Sequence, residues 1–191
     1  MENLQMALRY RHDDENSGIK SFLRGKSTRN QRIESFWRQF RQRMIDFYIT
    51  LFKAMEGENI LNVTNPLQVE CLRYCFGDLI KEEIQITVKE WNQHLVRKQK
   101  NRNVAGGIPN LLYKCPEKFA FEDYKKDVDS DYVLRLQEHF TTEPRLVSLE
   151  FEKLADELLK NQRRPTTVDE AYILYLNLNK AIQMLEASND D

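Results

Sequence analysis

One stretch decides the fold of this 191-residue chain, residues 28–56, which read TRNQRIESFWRQFRQRMIDFYITLFKAME. Thr28 suits an N-cap, and Gln31 three positions later completes a capping box. Apolar side chains then recur every three or four positions and form one wide helical face: Ile33, Phe36, Trp37, Phe40, Met44, Phe47, Tyr48, Leu51, Phe52 and Met55. The pattern predicts one helix over 29–56, or two nearly continuous helices, with Gly57 at the C′ position.

A second long helix is predicted to begin after Asn65. This residue suits an N-cap, Pro66 suits the first helical position, and Gln68 would complete a capping box. Apolar residues at helical spacing continue to about Arg97. So long a helix is expected to bend or break at Gly77, if it does so at all.

The rest of the chain predicts a loop and three shorter helices. Two glycines and a proline indicate a loop over 101–116. The helices are predicted over 129–140, 148–160 and 167–185. Any strand would be short and would lie before Gly25, so we expect a mainly α fold with little or no sheet.

The composition excludes several classes of protein. Apolar residues make up 41% and charged residues 31%, which is typical of a folded domain rather than a disordered chain. No apolar run approaches the roughly 20 residues that cross a bilayer, so no membrane partner is expected. Residues 1–14 do not resemble a signal peptide, and three cysteines without dense spacing favour a reducing, intracellular compartment.

Positive charge is concentrated in the first half of the chain. Residues 20–53 contain nine basic residues and only two acidic ones, whereas residues 103–191 contain 11 basic and 17 acidic ones. A polyanion such as DNA is therefore a candidate partner for the first half. The basic run at 97–102 is similar to a short localisation cluster, which makes the nucleus one compartment to consider.

Glu34 is the strongest candidate for a catalytic or metal-binding residue. It lies about one and a half turns inside the predicted first helix, and Lys26, Arg29 and Arg32 are close to it in sequence. A helix N-terminus with basic side chains favours phosphate, and a carboxylate there could hold a divalent metal beside a phosphodiester. The alternative is a surface glutamate that pairs with Arg38 at i,i+4.

The stretch from 27 to 37, Ser-Thr-Arg-Asn-Gln-Arg-Ile-Glu-Ser-Phe-Trp, resembles the third-acid segment of integrase core domains. The resemblance is closer to eukaryotic, transposon-derived members of these DDE enzymes. Further segments resemble the same family in the same order, at 46–53, 65–76, 91–94 and 107–113. The resemblance extends over residues 2–124 and is absent beyond Val133.

This resemblance implies a fold, a cofactor and a partner. Residues 1–124 would form the C-terminal helical part of an RNase H-like integrase core, and residues 125–191 an added helical extension. Glu34 would be the third catalytic, metal-binding carboxylate, with Mg²⁺ or Mn²⁺ as the cofactor. DNA would be the partner, and the residues implied to contact it are Lys26, Arg29, Asn30, Arg32, Arg38 and Arg41.

Two aspartates of the family pattern have no counterpart in this sequence. The second would fall at or just before Met1, and Asp13 and Asp14 are too close to Glu34 to replace it. A lone carboxylate binds Mg²⁺ weakly, because Mg²⁺ holds its water tightly. We therefore expect this chain not to cut or join DNA unless another chain supplies the aspartates.

Other candidate residues favour structural roles. Cys71 and Cys75 lie four apart on one predicted helix, which is not the spacing of a zinc site, so we expect buried thiols. Trp37 and Trp91 lie on apolar helix faces and are expected to pack in a core rather than stack on bases. The aromatic residues of the first helix are expected to be covered by other helices or by another chain.

Three functions follow from these observations. The first is a truncated or domesticated integrase-core protein that keeps some DNA affinity without the reaction. The second is a helical interaction module whose aromatic face binds a partner protein or a second copy of the chain. The third is a fragment of a longer active integrase whose aspartates are encoded upstream.

Overall fold

The computed structural model describes residues 2–22, 24–25, 31–98, 106–140, 145–160 and 162–189. Within these ranges the helices are α1 (Glu2–Arg9), α2 (Gln31–Phe40), α3 (Asp46–Gly57), α4 (Pro66–Gln93), α5 (Pro109–Lys114), α6 (Ser130–Phe140), α7 (Leu149–Leu159) and α8 (Val168–Asn189). A π-helical turn, Arg41–Ile45, joins α2 to α3. Strand pairing in the described ranges is limited to one bridge between Val96 and Gly107. The predicted mainly α fold is confirmed.

The chain forms two compact units. Unit 1 consists of residues 1–35 and 110–144, and unit 2 consists of residues 36–109 and 145–191. The division predicted from the resemblance, at 124/125, stays a prediction.

The core of unit 2 is built around α4 and α8. Helix α4 packs on α8, and α7 packs on α8 as well. The side chains that are buried almost completely come from α3, the segment after it, α4 and α8: Met55, Leu61, Cys71, Cys75, Phe76, Tyr175 and Leu178. Burial of apolar surface on this scale is the main stabilising contribution to the unit.

Tyr74 connects three parts of unit 2. Its hydroxyl donates a hydrogen bond to the Asp156 carboxylate in α7, and the Arg164 guanidinium lies 4.0 Å from the centre of its ring. Burial, followed by the hydrogen bond to Asp156, raises the pKa of Tyr74 well above its usual range. The phenol therefore stays protonated at neutral pH and remains a hydrogen-bond donor.

The start of α4 confirms the predicted cap and corrects the predicted capping box. The Asn65 side-chain oxygen accepts hydrogen bonds from the backbone amides of Leu67 (2.9 Å) and Gln68 (3.4 Å). The Gln68 side chain does not return to the Asn65 amide, because that amide already donates to the Asn62 carbonyl at 3.0 Å. Gln68 accepts instead from the backbone amide of Asn62 at 2.6 Å.

The starts of α7 and α8 agree with the predicted ranges, and each has a side-chain cap. The Ser148 hydroxyl accepts from the Phe151 amide at 3.2 Å, and the Thr167 hydroxyl accepts from the Glu170 amide at 3.2 Å. The Glu170 carboxylate in turn accepts from the backbone amide of Thr166 at 2.7 Å. Both helices therefore begin directly after the polar residues Ser148 and Thr167, at which the sequence predicted their starts.

The ends of the long helices differ from prediction. The left-handed residue after α3 is Asn59, with φ of 58°, rather than Gly57, which is the last residue of that helix. Helix α4 ends at Gln93, before Arg97, because His94 adopts an extended conformation. It is not broken at Gly77; a Cβ there would lie 2.8 Å from Leu146 Cδ1, so the glycine allows a close contact.

Two short helices were missed at the sequence level. The predicted loop over 101–116 contains α5, which begins at Pro109, a residue well suited to the first helical turn. Residues 1–24 have no convincing apolar period, yet α1 forms there with Glu2 at its N-terminus and Arg9 at its C-terminus. This placement of charges favours the helix dipole.

Unit 1 is held together by polar contacts between its two segments. His12 Nε2 donates to the backbone carbonyl of Asp127 at 3.0 Å; since a carbonyl only accepts, the proton lies on Nε2. The Arg11 guanidinium lies 5.2 Å from the centre of the Tyr132 ring. These contacts join residues near the start of the chain to the segment at 110–144.

Candidate nucleic-acid interface

Glu34 is the fourth residue of α2, near the positive end of the helix dipole. Its side chain is exposed and has no ion-pair partner in the part of the chain that the structure describes. The predicted alternative, a pair with Arg38 at i,i+4, is therefore not present. Lys26, Arg29 and Asn30 lie outside the described residues, as does the side chain of Arg32.

The carboxylates described here do not form a metal cage. Within the described ranges no group of three or more His, Cys, Asp or Glu side chains could share a metal ion. Mg²⁺ requires nearly octahedral oxygen ligands, and the single exposed carboxylate of Glu34 does not meet that requirement. The described residues alone therefore do not fit the predicted Mg²⁺ or Mn²⁺ cofactor.

Three arginines lie at the start of unit 2. Arg38 is exposed and has no ion-pair partner among the described side chains. Arg41 Nε lies 2.9 Å from Asp46 Oδ1, and Arg43 Nη1 lies 3.8 Å from Glu90 Oε2. All of these side chains except the half-exposed Asp46 carboxylate are largely exposed, so their pairs are accessible to solvent.

The π-helical turn changes how these arginines are arranged. The Asp46 backbone amide donates to the Arg41 carbonyl, five residues earlier, which is the hydrogen bond of a π turn. In a regular α-helix each successive side chain is turned by about 100° around the axis. The π turn inserts an extra residue, so side chains after Arg41 are displaced from the positions that a continuous α-helix would give them. Nothing in the sequence period indicates this turn, although such turns often occur at functional sites.

Trp37 is a correction to the sequence-based prediction. It was expected to pack in a core, but 56% of its surface is exposed. It stands at the edge of an aromatic cluster: its ring centre lies 5.1 Å from Phe36 and 5.8 Å from Phe40. Phe36 in turn lies 5.2 Å from Trp91, which is partly buried. Trp37 therefore offers a free ring surface that the neighbouring rings hold in place.

A second aromatic residue of the first helix is not covered by other helices in the described ranges, and its coverage by another chain stays a prediction. Phe47 is 54% exposed, whereas Phe40 is buried. A shallow cavity of about 50 Å³ lies between Phe36, Phe40 and Trp91, with Arg43 and His94 among its lining residues. Such a cavity is too small for a typical organic ligand, which needs roughly 300 Å³ or more.

The two helical cysteines are buried, as predicted. Cys71 and Cys75 have almost no exposed surface, and burial raises the pKa of each thiol to about 12. Metal binding and nucleophilic attack both require the thiolate. Neither thiol is a candidate ligand or nucleophile.

The described helices include none that is long and apolar enough to cross a membrane.

Comparison with known proteins gives one match. The family model described as "Integrase core domain" matches residues 1–110, more than half of the chain. Curated proteins and solved structures show no match to this chain. The family match includes Glu34, the three arginines and the aromatic cluster. The chain therefore belongs to the integrase core domain family.

Proposed function

We propose that this protein is a transposon-derived integrase-core protein that binds DNA without sequence preference and does not by itself cut or join it. The observation that carries the proposal is the grouping, on one helical stretch of unit 2, of an unpaired Arg38, two weakly paired arginines and a half-exposed Trp37. Membership of the integrase core family supports DNA as the polyanion.

The ion pairs of this stretch present little obstacle to phosphate. Exposed pairs such as those of Arg41 and Arg43 stabilise a fold by about 0–1 kcal/mol each. A phosphodiester oxygen can replace the acidic partner, and the release of counterions from DNA then favours binding. The Trp37 ring can add stacking on an unpaired base, worth about 1–3 kcal/mol, which tolerates any sequence.

We propose that Lys26, Arg29, Asn30 and Arg32 extend the DNA contacts, as the family resemblance implies. An RNase H-like origin of the helices belongs to the same proposal. If so, the protein works in a compartment that contains DNA, with the nucleus as the expected place.

We propose that the chain is not catalytic because too few of its carboxylates match the family pattern. Family members use divalent metal ions, and Glu34 would be one of the ligands. A DDE reaction needs several carboxylates to hold the ions on the scissile phosphate. Only Glu34 occupies a matching position in this sequence.

DNA binding can be tested by fluorescence anisotropy with two duplexes of unrelated sequence. We expect similar affinities for both and a steep loss of affinity between 50 and 300 mM salt, because each neutralised phosphate adds roughly one to the salt slope. Arg38→Gln should reduce the slope, whereas Arg73→Gln, an exposed arginine on α4, should not. Affinity unchanged over this salt range would contradict the proposal.

A second function is favoured by the exposed aromatic residues. Trp37 and Phe47 are each more than half exposed, which is unusual for such large apolar side chains. We propose as the alternative that this surface binds a partner protein or a second copy. A stable dimer in sedimentation analysis, indifferent to DNA and dissociated by Trp37→Ala, would favour this function over DNA binding.

A further inference from the structure

Unit 1 contains a cavity that the family match does not explain. Its volume is about 410 Å³, within the range of roughly 300–1,000 Å³ that is typical of small-molecule sites. The residues that give it chemical character are Arg9, Asp14, Lys20, Tyr124 and Lys126. The last two lie beyond residues 1–110, the part matched by the family model.

Arg9 is a buried cation with unused donors. Only 9% of the residue is exposed. Its Nη2 donates to both Asp14 carboxylate oxygens, at 2.6 and 2.5 Å, and lies 3.4 Å from the Asn16 carbonyl. Its Nη1 is buried without a hydrogen-bond partner among the described atoms. Buried guanidinium N–H groups are rarely left unsatisfied, so Arg9 retains one donor without an acceptor.

The charged side chains that line the cavity are predominantly positive, although the Glu122 carboxylate accepts a hydrogen bond from the Tyr124 hydroxyl. Three cations face one carboxylate, since Arg9, Lys20 and Lys126 line it together with Asp14. Lys20 and Lys126 are exposed, and neither forms an ion pair within 4.0 Å in the described ranges, although the charge of Lys126 helps to lower the pKa of Asp14. A dianionic group would balance this excess of positive charge.

Tyr124 gives the cavity an aromatic wall. Its side chain is 80% exposed, so one ring face is free for a planar ligand. Stacking on an exposed tyrosine ring is a common way to hold a nucleobase. A phosphate near the cations and a base on the tyrosine together describe a nucleotide.

We propose that this cavity binds a nucleotide, with the phosphate on Arg9, Lys20 and Lys126 and the base against Tyr124. The inference goes beyond the proposed function, because its residues differ from those proposed to bind duplex DNA. The same chemistry is offered by a free mononucleotide and by the end of a nucleic-acid strand. The experiment separates these two sources.

The probe is adenosine 5′-monophosphate, titrated calorimetrically into the full chain at low salt. We expect a Kd of roughly 1 mM or lower, with weaker binding of both adenosine and inorganic phosphate. Lys126→Gln should raise the Kd about tenfold, the contribution of one charge-assisted hydrogen bond. Lys125→Gln is the matched control and should leave the Kd unchanged, since Lys125 does not line the cavity.

The aromatic wall is tested separately. Tyr124→Ala should weaken adenosine monophosphate and leave inorganic phosphate unaffected, whereas Tyr113→Ala, an equally exposed tyrosine outside the cavity, should change neither. All four positions are exposed, so folding should be preserved, and circular dichroism verifies it. The Arg9 position is left intact because of its burial.

Several results would overturn the proposal. These are no heat of binding at millimolar nucleotide, equal effects of Lys126→Gln and Lys125→Gln, or inorganic phosphate bound as tightly as the nucleotide. A short 5′-phosphorylated strand that competes more strongly than the mononucleotide assigns the site to strand ends; weaker competition assigns it to free nucleotides. Duplex binding by the residues around Arg38 is measured separately, in the salt titration. Either proposal can therefore fail without the other.

Discussion

At the scale of single residues, burial decides which side chains are available for chemistry. Cys71 and Cys75 are enclosed in the core of unit 2, while Glu34, Arg38 and Trp37 are exposed. The sequence correctly predicted the buried thiols because both lie on an apolar helical face. It misplaced Trp37, because a helical period indicates which face a residue occupies but not whether another element covers that face.

The thiols should differ in reactivity. At pH 8 we expect one thiol per chain, Cys115, to react with an aromatic disulfide reagent in the native protein, because it is partly exposed. Cys71 and Cys75 are buried and their pKa values are raised to about 12, so they should react only after unfolding. Rapid reaction of all three thiols without denaturant would contradict the packing of α4.

Asp14 should make unit 1 sensitive to acid. The hydrogen bond from Arg9 holds the pKa of this carboxyl below its usual 3.8. Because the folded-state pKa is the lower one, the charged form stabilises the fold above about pH 4, and this contribution is lost as the pH falls through the folded value. Asp14→Asn should therefore flatten the dependence of the unfolding free energy on pH below about 4. If the unfolding free energies of the two proteins depend on pH in the same way below about pH 4, the Arg9–Asp14 pair contributes nothing to stability.

At the scale of secondary-structure elements, the starts of α4, α7 and α8 were predictable, whereas the end of α4 was not. The polar residues Asn65, Ser148 and Thr167 each bond to backbone amides within a few residues, so the signal is local. The end of α4 and the π turn after α2 depend on how the chain continues and packs, and no local pattern encodes them. Gly77 illustrates this, since its role is contact with the distant Leu146.

The cap at Asn65 provides a test at this scale. Asn65→Ala should lower the free energy of unfolding by about 1 kcal/mol, because two backbone amides lose their acceptor. Asn65→Ser should restore most of that loss, since serine is an equally good N-cap. Chemical denaturation of the three proteins measures both effects. A similar loss in both variants would indicate that the asparagine acts through another contact.

At the scale of the whole molecule, the helices that follow residue 145 contribute to the same core as α4. Their residues lie beyond the family match, yet Tyr175 and Leu178 of α8 have no exposed surface. The sequence predicted the existence of these helices over 148–160 and 167–185. It could not predict where they pack, because an amphipathic face does not specify its partner element.

The packing of α8 predicts a clear contrast between two leucines. Leu178→Ala should lower the unfolding free energy by about 2–5 kcal/mol, because it leaves a cavity in the core of unit 2. Leu176→Ala, two residues earlier on the same helix, should cost much less, since that side chain is exposed. Equal losses measured by thermal or denaturant unfolding would mean that α8 does not pack as described.

The central claim, DNA binding without the integrase reaction, is tested most directly by one plasmid experiment. Supercoiled plasmid is incubated at low salt with Mn²⁺ and either the wild-type chain or Glu34→Gln, and each sample is analysed on gels before and after removal of the protein. The account predicts that both proteins retard the plasmid and that it remains supercoiled after the protein is removed. Nicked or joined plasmid formed by the wild type and absent with Glu34→Gln would contradict the account, as would a plasmid that neither protein retards.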